Sequence, residues 1–153
     1  MGCDIHAYVE QCDENGTWTH TPELPDVFDY RNYNLFGWLV GVRNYSAVPP
    51  IAEPRGLPTG VSEVVQADLR EWDSDAHSVS WLSLDELQAF DYDATVEDRR
   101  IKVGNSGAHT AEPGGGTMTT YRDFLGTSYF ADLERLVLAA ERGPVRVVFW
   151  FDN

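Results

Sequence analysis

Apolar and polar side chains alternate from residue 3 to residue 10 of the chain. A period of two places successive side chains on opposite faces, so this stretch is predicted to be a β-strand. Its odd-numbered residues are apolar and suit a core. An acid and an imidazole held side by side on a strand can bind a metal, transfer a proton or hold a polar ligand. Here the even-numbered residues form that polar face: Asp4, His6, Tyr8 and Glu10.

Other stretches predict the rest of the sheet and its helices. Asn15-Gly16 is typical of a tight hairpin turn, with a return strand over residues 17–19. Residues 145–151 are almost all apolar, which predicts a central strand buried on both faces, with the first strand as its neighbour. Helical spacing of apolar residues predicts helices over 35–43, 63–72, 84–90 and 128–142, and a short one that stops at Gly126. Within 91–118 only a short edge strand at 101–103 is expected.

Local capping signals fix where several of these helices begin. Ser62 is a predicted N-cap, and Ser83 with Glu86 matches a capping box. Thr119 or Thr120 is expected to cap the short helix that precedes Gly126. Gly37 and Gly41 lie four residues apart, which suggests close approach by a neighbouring strand. The elements together predict an α+β or α/β fold: a small mixed sheet that contains the N- and C-terminal strands, packed with four to five helices.

Composition excludes some classes of partner. The chain has 153 residues, which predicts a single domain over 1–153. It carries 25 acidic and 11 basic residues, a formal charge of −14. Duplex nucleic acid and anionic membranes attract Lys and Arg, so neither is expected as a partner.

Two cysteines do not make a disulfide framework. No apolar run reaches the roughly 18 residues of a membrane span. The expectation is a cytoplasmic protein of undetermined oligomeric state.

Several motifs spread along the chain resemble those of a family of small proteins from bacteriophages and some bacteria, which open with the same Met-Gly-Cys-Asp-Ile-His. The likeness covers almost the whole chain except the Pro-rich loop and residues 91–118. It implies a phage setting, and hence the host cell cytoplasm, and it implies no particular mechanism. Small phage accessory proteins often counter host defences, so an anti-defence role is a hypothesis. The matching segments are residues 1–6, 31–36, 41–43, 54–58, 77–82 and 147–153.

The first functional hypothesis is a binding module for a small phosphate-bearing ligand, such as a nucleotide signal of host immunity. Arginine forks together with an aromatic face suit such a ligand. Arg43 and Arg55 would hold phosphate, and Trp81 or Tyr8 would stack on the base. His6 and His77 would donate hydrogen bonds, and Ser78 is a further residue of the predicted site. The site would lie between the polar face of the first strand and the loop that carries Arg55.

Two further hypotheses stay open at this point. Asp4-Ile5-His6 is similar to the D-x-H opening of calcineurin-like metallophosphoesterases, but the later segments of that family are absent. A different zinc or manganese site would make the chain a metal-dependent hydrolase of a phosphodiester. Its expected ligands are Asp4, His6, His77 and Asp152, with Asp75 as a further candidate.

The third hypothesis is an acidic inhibitor that binds a host defence protein and needs no pocket. Its Asp-rich segments would be residues 13–29 and 68–98. His20 and His109 are interpreted as surface residues without a role.

Overall fold

The structure is a computed structural model that describes residues 2–102, 104–105 and 107–153. Met1 of the opening motif and Val103 of the expected edge strand lie outside the described residues. Two compact units are seen, and the chain passes between them more than once. The first unit holds Met1–Arg31, Glu53–Phe90 and Phe130–Asn153, and the second holds Asn32–Ala52 and Asp91–Tyr129. That the chain is a single domain stays a prediction from its length.

The described residues contain both helices and strands, which confirms the predicted α+β class. Short 3₁₀ turns follow two of the helices, at Asp73–Asp75 and Ala140–Arg142. In chain order the elements are β1 (Asp4–Cys12), β2 (Trp18–His20), α1 (Tyr33–Val40), α2 (Glu63–Trp72), β3 (His77–Ser83), α3 (Leu84–Ala89), β4 (Thr95–Asp98), β5 (Arg100–Lys102), β6 (Ala108–Thr110), β7 (Thr117–Thr120), α4 (Tyr121–Leu125), α5 (Thr127–Ala139) and β8 (Val145–Asp152).

A four-stranded sheet in the order β2-β1-β8-β3 organises the first unit. The N- and C-terminal strands are neighbours and pair from Asp4 opposite Asp152 to Gln11 opposite Val145, as predicted. β8 is central and buried along its length up to Phe151, which confirms the expectation from its apolar sequence. All three strand pairs of this sheet are antiparallel.

Both faces of this sheet are covered. The odd-numbered side chains Cys3, Ile5 and Val9 are buried on one face, as the alternation predicts. On the other face α2 packs through Val65 against Val148 and Trp150 of β8. The polar face of β1 is therefore largely covered by α2 and its flanking loops rather than open along its length.

The second unit contains α1, α4 and two two-stranded sheets, β4-β7 and β5-β6. The expectation that residues 91–118 hold little regular structure is wrong, because four short strands lie there. These strands are too short and too polar to show a clear alternation. The expected edge strand is confirmed at Arg100–Lys102. The buried side chains of this unit include Leu35, Phe36, Trp38, Leu39, Tyr92, Val96, Phe124 and Leu125.

Helix ends follow the capping signals more closely than the apolar periodicity. Ser62 caps α2, Ser83 and Glu86 form the capping box of α3, and Thr120 caps α4. α1 ends at Val40, before the expected residue 43, because Gly41 adopts a left-handed conformation with φ of 82°. Gly37 is approached by the turn residue Asn44 and not by a strand. No helix in the described ranges has the length and hydrophobicity needed to cross a bilayer.

Candidate functional site

His6 and Asp152 form a hydrogen-bonded pair on the α2 side of the sheet. Asp152 of β8 pairs with Asp4 of β1, and Trp150 pairs with His6. His6 and Asp152 are therefore diagonal neighbours on adjacent strands. The Nε2 atom of His6 lies 2.8 Å from Oδ2 of Asp152, and the imidazole ring packs 4.2 Å from the ring of Trp72. The pair is about three-quarters buried. A carboxylate on one ring nitrogen fixes the orientation of an imidazole and leaves the other nitrogen for a ligand or a proton.

A cleft runs along β1 beside this pair. Tyr8 stacks on Trp150 at 5.0 Å between ring centroids, and the ring of His20 lies 5.7 Å from that of Tyr8. Pro25 and Asp29 of the following loop close the far side. The cleft has a volume of about 210 Å³. We call it the strand-one cleft, lined by Ile5, His6, Ala7, Tyr8, His20, Pro25 and Asp29.

His20 lines this cleft, although its sequence position near a proline indicates a surface residue without a role. The Asn-Gly hairpin turn pairs Cys12 with Trp18 and Glu10 with His20. This register places His20 on the same face as Glu10 and next to Tyr8. The turn signal was visible in the sequence. Extending the hairpin register by one pair would have brought His20 into the candidate site.

The four residues expected to hold a metal are not brought together as one set. Asp4 is held by two hydrogen bonds from Arg31, of 2.9 and 2.8 Å, and this guanidinium lowers the pKa of the Asp4 carboxyl. His77 pairs with Phe151 and packs on its ring, whereas Asp152 and His6 lie on the opposite face of the sheet. Among the residues that the structure describes, no group of three His, Cys, Asp or Glu side chains is placed to hold a metal ion.

His77 and Ser78 lie together at a bulge of β3. His77 hydrogen-bonds the Ser78 hydroxyl through Nδ1 at 3.0 Å and the Asn153 side chain through Nε2 at 3.1 Å. Ser78 has a φ of 55°, a conformation that non-glycine residues adopt rarely. These hydrogen bonds join the bulge to the end of β8. They also direct both ring nitrogens of His77 toward the protein.

Arg55 and Trp81, two residues of the first hypothesis, are in contact, but the guanidinium already has a carboxylate partner. It donates to both carboxylate oxygens of Glu86, at 2.9 and 2.5 Å, and lies 4.9 Å from the ring of Trp81. The hydrogen bond from Arg55 holds the pKa of Glu86 at about 2, and burial opposes this shift. A phosphate would have to displace this bidentate pair.

Trp81, which contacts Arg55, and Tyr8 lie on strands that are not adjacent in the sheet. Trp81 is on β3 and Tyr8 is on β1, and β8 lies between them. Two strand spacings amount to about 10 Å. The two halves of the expected pocket are therefore separated by the side chains of β8.

A fully buried ion pair lies at the other end of the polar face. Glu10 is 0% exposed, and Arg146 donates from Nε to Oε1 of Glu10 at 2.8 Å. The guanidinium also donates to the Thr59 carbonyl at 3.1 Å and lies 4.0 Å from the ring centre of Trp18. The second carboxylate oxygen accepts the Ser62 N–H at 2.7 Å. This network fixes the loop that leads into α2.

Arg43 belongs to the second unit and lies in a cluster of arginines and tyrosines. Its guanidinium is 5.8 Å from the ring of Tyr33 and 3.4 Å from the hydroxyl of Tyr45. The guanidinium of Arg100 lies 4.9 Å from the ring centre of Tyr33 and 5.1 Å from that of Tyr45. Tyr45 is 37% exposed, and Arg100 is exposed. We call Tyr33, Arg43, Tyr45 and Arg100 the Arg–Tyr cluster.

The guanidinium of Arg100 has different neighbours from those of most arginines in the chain. Within the described ranges, no carboxylate lies within ion-pair distance of Arg100. Ion pairs with Asp or Glu side chains are common among the other arginines of the described ranges. The paired arginines are Arg31, Arg55, Arg70, Arg99, Arg122, Arg135 and Arg146.

Comparison with known proteins adds no constraint on this geometry. No family model, no curated protein and no solved structure matches the chain.

Proposed function

We propose that the protein binds a small phosphate-bearing ligand of the nucleotide type at the Arg–Tyr cluster. The observation that carries this proposal is the position of Arg100, which faces two tyrosine rings and has no carboxylate at ion-pair distance within the described ranges. A guanidinium that rests on aromatic rings keeps N–H groups in its plane for a phosphate. Arg43 lies in the same cluster and adds a second positive charge.

The strong net acidity of the chain does not oppose such a site. Interactions between exposed charges are screened beyond about 8–10 Å at physiological salt, so a bound anion responds mainly to its nearest groups. The exposed ring of Tyr45 offers a surface on which a base can stack. The resemblance to phage proteins makes a nucleotide signal of host defence the first ligand to test.

Thermal-shift and calorimetric titrations with AMP and with cyclic di-AMP test the proposal. A ligand at 100 times its dissociation constant stabilises the native state by about 2.7 kcal/mol. We expect Arg100→Ala to abolish the shift, and Arg100→Lys to weaken it, because Lys keeps the charge and loses the planar fork. The matched control is Arg122→Ala in the same unit, where the exposed guanidinium pairs with Asp93. Equal binding by Arg100→Ala and the wild type would contradict the proposal.

The acidic protein-binding inhibitor is the alternative that a specific observation favours. Internal ion pairs already neutralise most of the arginines, so the surplus carboxylates, a formal charge of −14, lie mostly on the surface. Such a complex would weaken steeply with salt. Nucleotide binding at the Arg–Tyr cluster needs no protein partner, so a salt-sensitive complex with another protein would favour the inhibitor. The metal-dependent hydrolase stays a prediction that the geometry does not favour.

A further inference from the structure

The last helix, α5, carries an apolar patch on its solvent side. Leu138 is 63% exposed, and its neighbour Val137 is 38% exposed. Leu138 also borders a cleft of about 310 Å³ that separates α5 from the half-buried Leu24, in the loop after β2. An exposed apolar patch beside a cleft is typical of a surface that contacts another protein.

Charged side chains border this patch, with the two signs on opposite sides. Successive residues of a helix are rotated by about 100°. Relative to Leu138, Glu134 and Glu141 lie about 40° and 60° to one side. Arg135 and Arg142 lie about 60° and 40° to the other side. The 3₁₀ turn that continues α5 winds more tightly, but it leaves its acidic and its basic residue each on the same side.

Three of these four charges are available to a partner. Glu134, Glu141 and Arg142 are exposed, and none of them has an ion pair among the described side chains. Arg135 is partly buried and already pairs with two Asp side chains of its own chain. The pairing of Glu141 and Arg142 with a partner would therefore contribute most to selectivity.

A helix face with one acidic and one basic side is complementary to a second copy of itself in one orientation. When two such helices pack in parallel about a twofold axis, the acidic side of each lies against the basic side of the other. In the antiparallel orientation acid would face acid and base would face base, which disfavours the contact. The charge pattern of α5 therefore selects a parallel pair.

The cleft beside α5 matches the same orientation. It lies on the basic side of the helix, because Arg135, Ala139 and Arg142 line it. Val137 lies on the acidic side, about 100° from the centre of the patch. In a parallel pair, Val137 of each protomer would enter the cleft of the other, next to the partner's Leu24.

We propose that the protein forms a twofold symmetric homodimer in which the two α5 helices pack in parallel, with Val137 and Leu138 at the centre of the contact. Glu141 of each protomer pairs with Arg142 of the other. This inference does not depend on phosphate binding, because the contact residues belong to the first compact unit and the Arg–Tyr cluster to the second.

Sedimentation equilibrium of the full chain tests whether the dimer forms. The measurement uses about 150 mM salt, which screens the repulsion between two chains of charge −14 beyond about 8 Å. We expect the average mass to rise from that of one chain toward that of two between about 1 µM and about 1 mM protein. A contact of about two helical turns lies at the small end of specific interfaces, so the dimer should be weak. The mass of one chain throughout this range would leave the patch to a different partner and would overturn the proposal.

Two variants locate the contact. Leu138→Asp is expected to raise the dissociation constant of the dimer at least about tenfold, because it places a charge at the centre of the interface. The matched control is Val64→Asp on α2, where the valine is 56% exposed, and it should leave the dissociation constant unchanged. Both positions are on the surface, and urea unfolding checks that each variant folds like the wild type. An unchanged dimer in Leu138→Asp would overturn the proposal.

Charge reversal tests the parallel orientation. Glu141→Arg is expected to weaken the dimer about fivefold, because the new cation faces Arg142 of the other protomer. Arg142→Glu should weaken it by a similar factor, and the double reversal should return the dissociation constant to within about twofold of the wild type. In an antiparallel pair Glu141→Arg would face Glu134 and strengthen the dimer, and that result would overturn the proposal. Loss of nucleotide binding in Arg100→Ala leaves these outcomes unaffected.

Discussion

The buried pair of Glu10 and Arg146 makes a strong prediction about stability. Glu10→Gln keeps the shape of the side chain and removes its charge, and Arg146→Met keeps much of the apolar volume and removes the cation. Glu10 is fully buried, and the Arg146 side chain is 5% exposed. Each single variant therefore leaves one group of the pair uncompensated in a site that water does not reach.

The expected magnitude follows from what each variant leaves behind. Removal of one partner from a buried ion pair costs about 3–5 kcal/mol. In Glu10→Gln the guanidinium keeps the Thr59 carbonyl and the ring of Trp18, so we expect the lower end of this range. In Arg146→Met the Ser62 N–H is the one hydrogen bond that the carboxylate keeps within the described part of the chain, so we expect about 4 kcal/mol. The double variant Glu10→Gln with Arg146→Met leaves no buried charge and should cost clearly less than the two single changes together.

Urea unfolding followed by tryptophan fluorescence measures these differences. Native proteins are stable by roughly 5–15 kcal/mol, so the single variants should lose a large share of the total. The midpoints should fall while the slope of the transition stays unchanged. If Glu10→Gln lowers the free energy of unfolding by less than about 1 kcal/mol, the pair contributes no more than an exposed ion pair does. That result would refute the expected cost of leaving a buried charge without its partner. Additive losses in the double variant would refute the coupling between the two charges.

Three further predictions concern local features. Glu86→Gln should cost about 1 kcal/mol near neutral pH, because the pair with Arg55 is partly exposed. The pKa of Glu86 is lowered to about 2, so this contribution is present above about pH 4.5 and is lost as pH falls through 2, which acid titration of both proteins should show. Gly37→Ala should destabilise the chain in urea unfolding, because the added Cβ would lie 2.8 Å from Oδ1 and 3.0 Å from Cα of Asn44. An unchanged midpoint would show that the turn at Asn44 moves to accommodate the methyl group. Ser62→Ala should lower the midpoint by the equivalent of about 1 kcal/mol through loss of the α2 cap, and a cost as large as that of Glu10→Gln would contradict a purely local role.

Much of the secondary structure could be predicted because its signals are local. The hairpin turn at Asn15-Gly16, the cap at Ser62 and the capping box of Ser83 and Glu86 each depend on residues within four positions of one another. The apolar run of β8 and the alternation in β1 depend only on which faces a strand buries. These signals were sufficient to place the two terminal strands side by side.

The candidate site could not be derived from local signals, because it depends on the partners of each charge. Arg55 was expected to hold a phosphate, and the fold gives it Glu86, 31 residues away. Arg43 lies beside Tyr33 and Tyr45, with Arg100 in the same cluster. No local pattern encodes these pairings.

The sequence by itself determined most of the helices and the strands β1, β2 and β8, since periodicity, turn and capping signals act over a few residues. Only the tertiary structure decided which faces stay accessible. Alternation marked Glu10 as a polar-face residue, yet α2 and its loop cover that face and bury Glu10 with Arg146, 136 residues away. The reason is physical: the environment of a charged side chain is set by long-range packing and register, and these depend on the whole chain at once.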